Sequence, residues 1–235
     1  MKSKSRRHLY VERRTEDDYV LKFDWNSIED AKRCILWNGE WEDDTCRTVD
    51  FLDQNGILPS EGTVCDFGVG VGRITSEILR RRRTVSVVGV DRSLSMLSHA
   101  EQYLNTTLRS RYRGIDLPSF MKSHRNFAQA FRSILMIETL QHIPEMEIDQ
   151  LLPIINTTLS SGGVLFVLGN ELLDAPSKRF GNSGRRQVAD VLRRYCRVAR
   201  SGVLKDLATE RFWFECHAHS HITEVNVQCI SPARD

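Results

Sequence analysis

Three glycines alternate within CDFGVGVGRIT, residues 65–75, at Gly68, Gly70 and Gly72, and an acid, Asp66, stands two positions before the first. A glycine-rich turn between a strand and a helix lets a ligand approach the backbone and offers it the N–H groups of the helix start. Phosphate is the usual guest of such a turn. The carboxylate argues against phosphate here, because two unit charges about 4 Å apart repel by about 4 kcal/mol at an effective dielectric near 20. The spacing also departs from G-x-G-x-x-G, whose third glycine would fall at Arg73. A cationic guest reverses the sign. The sequence therefore predicts a turn with a negative tip and a positively charged ligand.

A second acid sharpens the chemistry. Asp91 closes the apolar run VSVVGVD. A carboxylate at the end of the second strand of an open α/β sheet can accept both hydroxyls of a ribose. Asp91 alone suits a nicotinamide dinucleotide equally well. Together with Asp66 it favours S-adenosylmethionine, which carries a sulfonium, an ammonium and a ribose but no phosphate.

Four stretches, DFGVGVGR, VVGVDRSLSML, SILMIETLQHIP and LSSGGVLFV, stand in that order between about residues 60 and 170. In order and spacing they resemble the successive motifs of class I S-adenosylmethionine-dependent methyltransferases. The resemblance implies that Gly68, Gly70 and Gly72 line the methionine part of the cofactor, with Asp66, Phe67 and Arg73 beside them. It implies that Asp91 holds the ribose, with Arg92 adjacent and Met96 near the adenine. Asp116 matches the acid that binds the adenine amino group, and Leu117 lies beside it. Ile137 and Glu138 would face the sulfonium, with His142 one turn beyond. Departures from the family pattern are Phe131-Arg132 where many relatives have Phe-Asp, and Val69 and Val71 between the glycines.

Methyl transfer needs alignment and exclusion of water more than it needs an acid or base. His142 is the candidate general base, against a structural imidazole bound to backbone. Glu138 is read either as a substrate contact or as a helix cap. Trp37 and Trp41 are read either as a lid over the site or as core anchors. His217, His219 and His221 share one face of a strand and are expected to face solvent or the site mouth rather than zinc, so no metal is expected. Arg80 to Arg83 are expected to sit at a helix C-terminus, with nucleic-acid contact as the alternative.

These residues must be positioned by alternating elements. TVCDF, VSVVGVD, FRSILMI and VLFVLGN read as buried strands, and RYRGID as a weaker one. RITSEIL, a helix capped by Ser93, EIDQLLPIINTTL and QVADVLRRY read as the helices between them, with Pro153 in the first turns of its helix and Gly162-Gly163 as a turn. RFWFECHAHSH and TEVNVQCI alternate as antiparallel edge strands do. The expected fold is doubly wound α/β: a mostly parallel seven-stranded sheet with an antiparallel C-terminal strand and an N-terminal helical cap. The expected organisation is a disordered basic tail over 1–14, the cap over 15–57, and the catalytic domain over 58–235.

The 235 residues carry 33 basic and 31 acidic side chains, a near balance that gives no general pull toward nucleic acid or anionic membrane. No apolar run reaches the ~20 residues of a membrane span, and the six cysteines show no disulfide framework. The expectation is a cytoplasmic methyltransferase (EC 2.1.1.-) that converts S-adenosylmethionine to S-adenosylhomocysteine and methylates oxygen or nitrogen of a small-molecule acceptor. A protein or peptide acceptor and a non-catalytic scaffold are the alternatives.

Overall fold

The computed structural model describes residues 27–35, 41–143, 145–170, 184–205 and 210–218. Helices α1 (Ile28–Ile35) and α2 (Trp41–Gln54) precede the sheet. Then come β1 (Gly62–Phe67), α3 (Arg73–Arg81), β2 (Val85–Asp91), α4 (Leu94–Tyr103), a short α5 (Thr106–Arg109) and β3 (Tyr112–Asp116). Next are α6 (Leu117–Ser123), β4 (Phe131–Ile137), α7 (Glu145–Thr158), β5 (Leu159–Asn170), α8 (Gly184–Tyr195), β6 (Cys196–Lys205) and β7 (Glu210–Ala218).

The seven strands lie in the order β3-β2-β1-β4-β5-β7-β6. Strands β1 to β5 pair in parallel, and β7 runs antiparallel to both β5 and β6. The near-continuous apolar strands follow from burial on both faces. Val64, Leu135, Ile137, Phe166 and Leu168 face one layer with Ile74, Ile78 and Leu52. Cys65, Phe67, Ile134, Met136, Leu165 and Val167 face the other, with Phe120, Ile148, Leu152 and Leu192. Chain order reverses at β1 and β4, so the carboxyl ends of these two strands are where a ligand crevice belongs.

Local chemistry explains the boundaries. Ser93 accepts the Met96 N–H at 3.2 Å and starts α4. Arg111 closes α3 by donating to the Leu79, Arg82 and Val85 carbonyls. Arg81 and Arg82 pair with Asp50 and Asp53 of α2, so the arginine cluster fastens α3 to the cap.

Two expectations need correction, and one strand has no counterpart in the sequence reading. Pro153 lies in the interior of α7, which begins earlier, at Glu145. Burial of Ile148, Leu151, Leu152 and Ile155 offsets the ~3 kcal/mol that an interior proline costs. Gly162-Gly163 is no turn before a strand but a bulge within β5, between the pairs Phe131–Leu159 and Ser133–Val164. Finally, CRVARSGVLK, which carries no clear strand pattern, forms the edge strand β6. TEVNVQCI, the 1–14 tail and Trp37 lie outside the described residues.

Candidate active site

The glycine turn folds back onto the end of β2. The Val90 carbonyl accepts the N–H groups of Gly68 at 2.7 Å and Val69 at 3.1 Å, and Gly72 donates to the Val69 carbonyl at 2.9 Å. Gly70 donates to Asp91 Oδ2, also at 2.9 Å. Four amides that a phosphate would need are thus spent within the protein. Gly68 has a φ of +82°, and a Cβ there would stand 2.2 Å from Thr139 Oγ1, so the turn interlocks with the tip of β4.

Asp66 does not form the negative tip expected of it. It is 3% exposed and lies beneath the turn, where the Thr75 hydroxyl donates to it at 2.7 Å. Asp66 is therefore tied through a hydroxyl to the first turn of α3 from inside the fold, where the positive end of the helix dipole favours a carboxylate. A buried acid beneath the helix start disfavours a phosphate there all the same. Phe67 likewise belongs to the core, in edge contact with Phe120.

Burial pushes the Asp66 carboxyl up to about 6 from 3.8. An acid whose folded pKa is raised stabilises the fold in its protonated form. That contribution is full below 3.8 and is lost as pH rises through about 6. It amounts to about 3 kcal/mol at 1.36 kcal/mol per unit. Urea unfolding of the wild type and Asp66→Asn from pH 4 to pH 7 should show their stability difference changing by that order. Parallel curves would show that Asp66 does not titrate in this window.

Asp91 sits at the carboxyl end of β2, opposite Asp116 of β3. Its Oδ2 holds Gly70 and its Oδ1 accepts the Ser93 N–H at 2.9 Å. Desolvation raises its pKa, opposed by these backbone donors. A carboxylate accepts about four hydrogen bonds, so capacity remains for two hydroxyls. Asp116 caps α6, accepting the Ser119 N–H at 2.9 Å, and these Ser119 contacts lower its pKa. One residue beyond this facing pair, Arg92 and Leu117 line a cavity of about 450 Å³. Helix α7 contributes Glu147, Gln150 and Leu151 to it, and α6 contributes Pro118 and Met121. Arg92 Nη2 pairs with Glu147 Oε2 across this cavity.

Arg73 is turned to the cap. Its Nη1 donates to Asp44 Oδ2 at 2.8 Å and to Thr45 Oγ1 at 3.1 Å. The other oxygen of Asp44 pairs with Arg211 Nη2 of β7 at 3.1 Å, and all three side chains are buried. Trp41 is an anchor here. It is 6% exposed, packs with Ala31, Val71 and Met96, and donates to the Tyr103 hydroxyl at 3.3 Å. Lys32 and Arg73 lie over its ring at 5.5 and 5.7 Å.

At the end of β4, Ile137 is buried and Glu138 takes a left-handed φ of +56°. Such a conformation in a residue other than glycine costs about 1–3 kcal/mol and clusters at functional sites. The Glu138 N–H donates to the Leu168 carbonyl at 2.7 Å, fixing the tip of β4 to β5. His142, half-buried, ends the short 3₁₀ turn Leu140–His142, and its N–H donates to the Thr139 carbonyl. Glu138 and His142 therefore belong to the segment that interlocks with the glycine turn.

His217 is elsewhere. Its Nδ1 lies 3.2 Å from the Gly163 carbonyl, at the amino end of β5 and so on the opposite edge of the sheet. His219 and His221 lie outside the described residues. Among the described residues no group of three or more His, Cys, Asp or Glu side chains could hold a metal ion. No helix among them is long and apolar enough to cross a membrane.

Sequence reasoning did not single out Asp44, Thr75, Thr139, Glu147 or Arg211. For Asp44 a signal exists: Trp41, Asp44, Thr48 and Leu52 recur at helical spacing and form a buried stripe.

Residues 64–163 match the family model described as a methyltransferase domain. Over 139 residues the chain is 30% identical to trans-aconitate 2-methyltransferase of Variovorax paradoxus strain S110, covering 59% of this chain. The chain spans 50% of the length of that curated relative. An S-adenosylmethionine-dependent methyltransferase from Leishmania major superposes with a TM-score of 0.60 at 15% identity, over 85% of this chain and 82% of that one. Magnesium protoporphyrin IX methyltransferase from Synechocystis PCC 6803, solved with bound S-adenosylhomocysteine, gives 0.57 at 16% identity, over 86% and 94%. These structural likenesses establish the fold. Over residues 64–163 the chain is therefore similar to the methyltransferase-domain family, and its fold is that of S-adenosylmethionine-dependent methyltransferases.

Proposed function

We propose that the protein binds S-adenosylmethionine at the carboxyl ends of β1, β2 and β4 and methylates oxygen or nitrogen of a small-molecule acceptor. The single observation that carries this reading is the coordination of Asp91. Its carboxylate is anchored by two backbone donors, Gly70 and Ser93, and keeps acceptor capacity for a ribose diol. The neighbouring turn bonds its Gly68, Val69, Gly70 and Gly72 amides within the protein, which suits a nucleoside without a pyrophosphate. When bound, S-adenosylmethionine would supply a methyl carbon activated by positive sulfur, to which an acceptor lone pair bonds as the carbon–sulfur bond breaks and the sulfur leaves as a neutral thioether.

This chain's own residues then orient and enclose. Gly68, Gly70 and Gly72 give the methionine end close access to the backbone. Asp91 holds the ribose. Glu138 and His142 are the groups we assign to the acceptor side, because the strained tip of β4 packs directly on Gly68 through Thr139. His142 would take the proton if the acceptor is protonated at working pH. A relative named for trans-aconitate supports a small-molecule acceptor. A cytoplasmic setting is part of the proposal, supported by the free thiols of Cys46, Cys65, Cys196 and Cys216.

Replacing Asp91 by Asn keeps its size and one acceptor but removes the charge. A charge-assisted hydrogen bond contributes about 1.5–3 kcal/mol, so binding of S-adenosylmethionine should weaken roughly tenfold to a hundredfold. Calorimetry on the wild type and Asp91→Asn measures this directly. An unchanged affinity would remove the ribose assignment.

A further inference from the structure

We propose that the amino-terminal rim of the sheet, opposite the ligand crevice, docks the phosphate backbone of single-stranded RNA through Arg83, Arg109, Arg113, Arg125 and Arg132. The proposal is independent of what the crevice binds. All five side chains are exposed, and among the described residues none of them has an ion-pair partner. Arg81 and Arg82, by contrast, are held by Asp50 and Asp53.

Contacts join the five into one rim. Arg111, two residues from both Arg109 and Arg113, donates to the Arg82 and Val85 carbonyls on either side of Arg83. The Gly62 N–H donates to the Thr84 carbonyl, and a Cβ at Gly62 would stand 3.2 Å from Arg132 Cγ. Phe131 stacks on Phe127 of the 3₁₀ turn His124–Phe127, which carries Arg125. The Arg113 guanidinium lies 5.7 Å from the same Phe127 ring. The arginines thus follow the starts of β3, β2, β1 and β4, across roughly 14 Å at about 4.8 Å per strand. Against them stand the exposed Glu61, beside Gly62, and Glu101, near the end of α4. The near balance of charge over the whole chain therefore conceals a segregated positive face.

The chemistry of this face selects the partner. A guanidinium fork matches phosphate oxygens in bidentate fashion. A protein partner would need an apolar centre to the patch, and a membrane surface an apolar residue to bury. The large hydrophobic side chain that stands exposed among the described residues, Leu94, starts α4 at the other end of the sheet. Sheet twist turns each strand by about 20–25° from its neighbour, so the arginines lie on a curve. A flexible single strand can follow that curve, whereas a stiff duplex touches it only in part. In the cytoplasmic setting proposed above, that single strand is RNA.

The test is fluorescence anisotropy of the full chain with a labelled single-stranded RNA of mixed sequence, over a series of salt concentrations. At low salt the complex should have a Kd of roughly 1–100 μM. Each phosphate contact contributes about 0.7 to the slope of log K against log salt for a single strand, so the triple variant Arg109→Ala, Arg125→Ala, Arg132→Ala should give a slope shallower by about 2. The three side chains are exposed, so this variant should keep the wild-type melting temperature. Arg193→Ala, which removes an exposed arginine of α8 paired with Asp190, should leave the slope as it is. Absence of binding at low salt, or an unchanged slope in the triple variant, overturns the proposal. Tighter binding of duplex DNA, polyglutamate or phosphatidylserine vesicles than of the RNA at equal salt overturns it as well.

Discussion

Replacing Gly68 by alanine is expected to abolish cofactor binding and to destabilise the protein by roughly 2–5 kcal/mol. Two separate costs add. A left-handed φ of +82° costs a residue with a Cβ about 1–2 kcal/mol. The new methyl would also stand 2.2 Å from Thr139 Oγ1 and 2.5 Å from its methyl, so the turn or the tip of β4 must move. Overpacking of that kind typically costs about 1–3 kcal/mol. Movement there displaces the Gly70 N–H from Asp91, and with it the ribose acceptor. The double variant Gly68→Ala, Thr139→Ala should recover most of the steric part, since only the Cβ of residue 139, at 2.9 Å, still presses on the new methyl, and leave the conformational part. Gly56→Ala is the control: φ is +69° there, but nothing lies within 4 Å of the added carbon, so only the conformational cost applies. Denaturation midpoints of the three variants give the comparison. If Gly68→Ala matches Gly56→Ala in stability and retains binding, the interlock of turn and strand is wrong.

Asp44→Leu should be nearly as damaging, although Asp44 lies in the cap. It is the shared partner of Arg73 and Arg211, whose side chains are 8% and 4% exposed. Removing one member of a buried ion pair costs about 3–5 kcal/mol, because the charge left behind has no water to replace it. At about 2–4 °C per kcal/mol for a chain of this size, the melting temperature should fall by roughly 6–20 °C. Binding of S-adenosylmethionine should weaken as well, because Arg73 directly follows Gly72 and anchors the turn to the cap. Asp190→Ala makes the contrast. Its partner Arg193 is 62% exposed and Asp190 itself 72%, and surface pairs of that kind contribute little. A melting temperature for Asp44→Leu close to that of Asp190→Ala would mean the buried triad does not hold the cap.

The sheet was legible where strands are buried on both sides. VCDF, VSVVGVD and ILMI are continuous apolar runs because layers of helix cover both faces. Helix starts were legible where a side chain does the capping, as at Ser93. The edge was not. In CRVARSGVLK, Arg197, Arg200, Ser201 and Gly202 break the alternation, and an edge strand tolerates this because it pairs on one side only. The bulge at Gly162-Gly163 resembles a turn locally, and only its pairing with β4 identifies it.

For the site, residue type carried the chemistry but not the direction of each side chain. Asp91 lies where the sequence puts it, at the tip of β2. Asp66 does not face the ligand crevice, because Thr75, nine positions along the chain, offers a hydroxyl beneath the turn. Arg73 was drawn to the cap by Asp44, 29 positions earlier. Such pairings depend on how α2 lies against α3, which no local pattern encodes.

The most direct test of the central claim is a calorimetric titration of the wild type with S-adenosylmethionine, S-adenosylhomocysteine and NAD under identical conditions. A ribose acceptor at Asp91 beside a turn whose Gly68, Val69, Gly70 and Gly72 amides are bonded within the protein predicts one-to-one binding of both adenosyl compounds and no detectable heat from NAD. Saturable binding of NAD, with both adenosyl compounds silent, would contradict it.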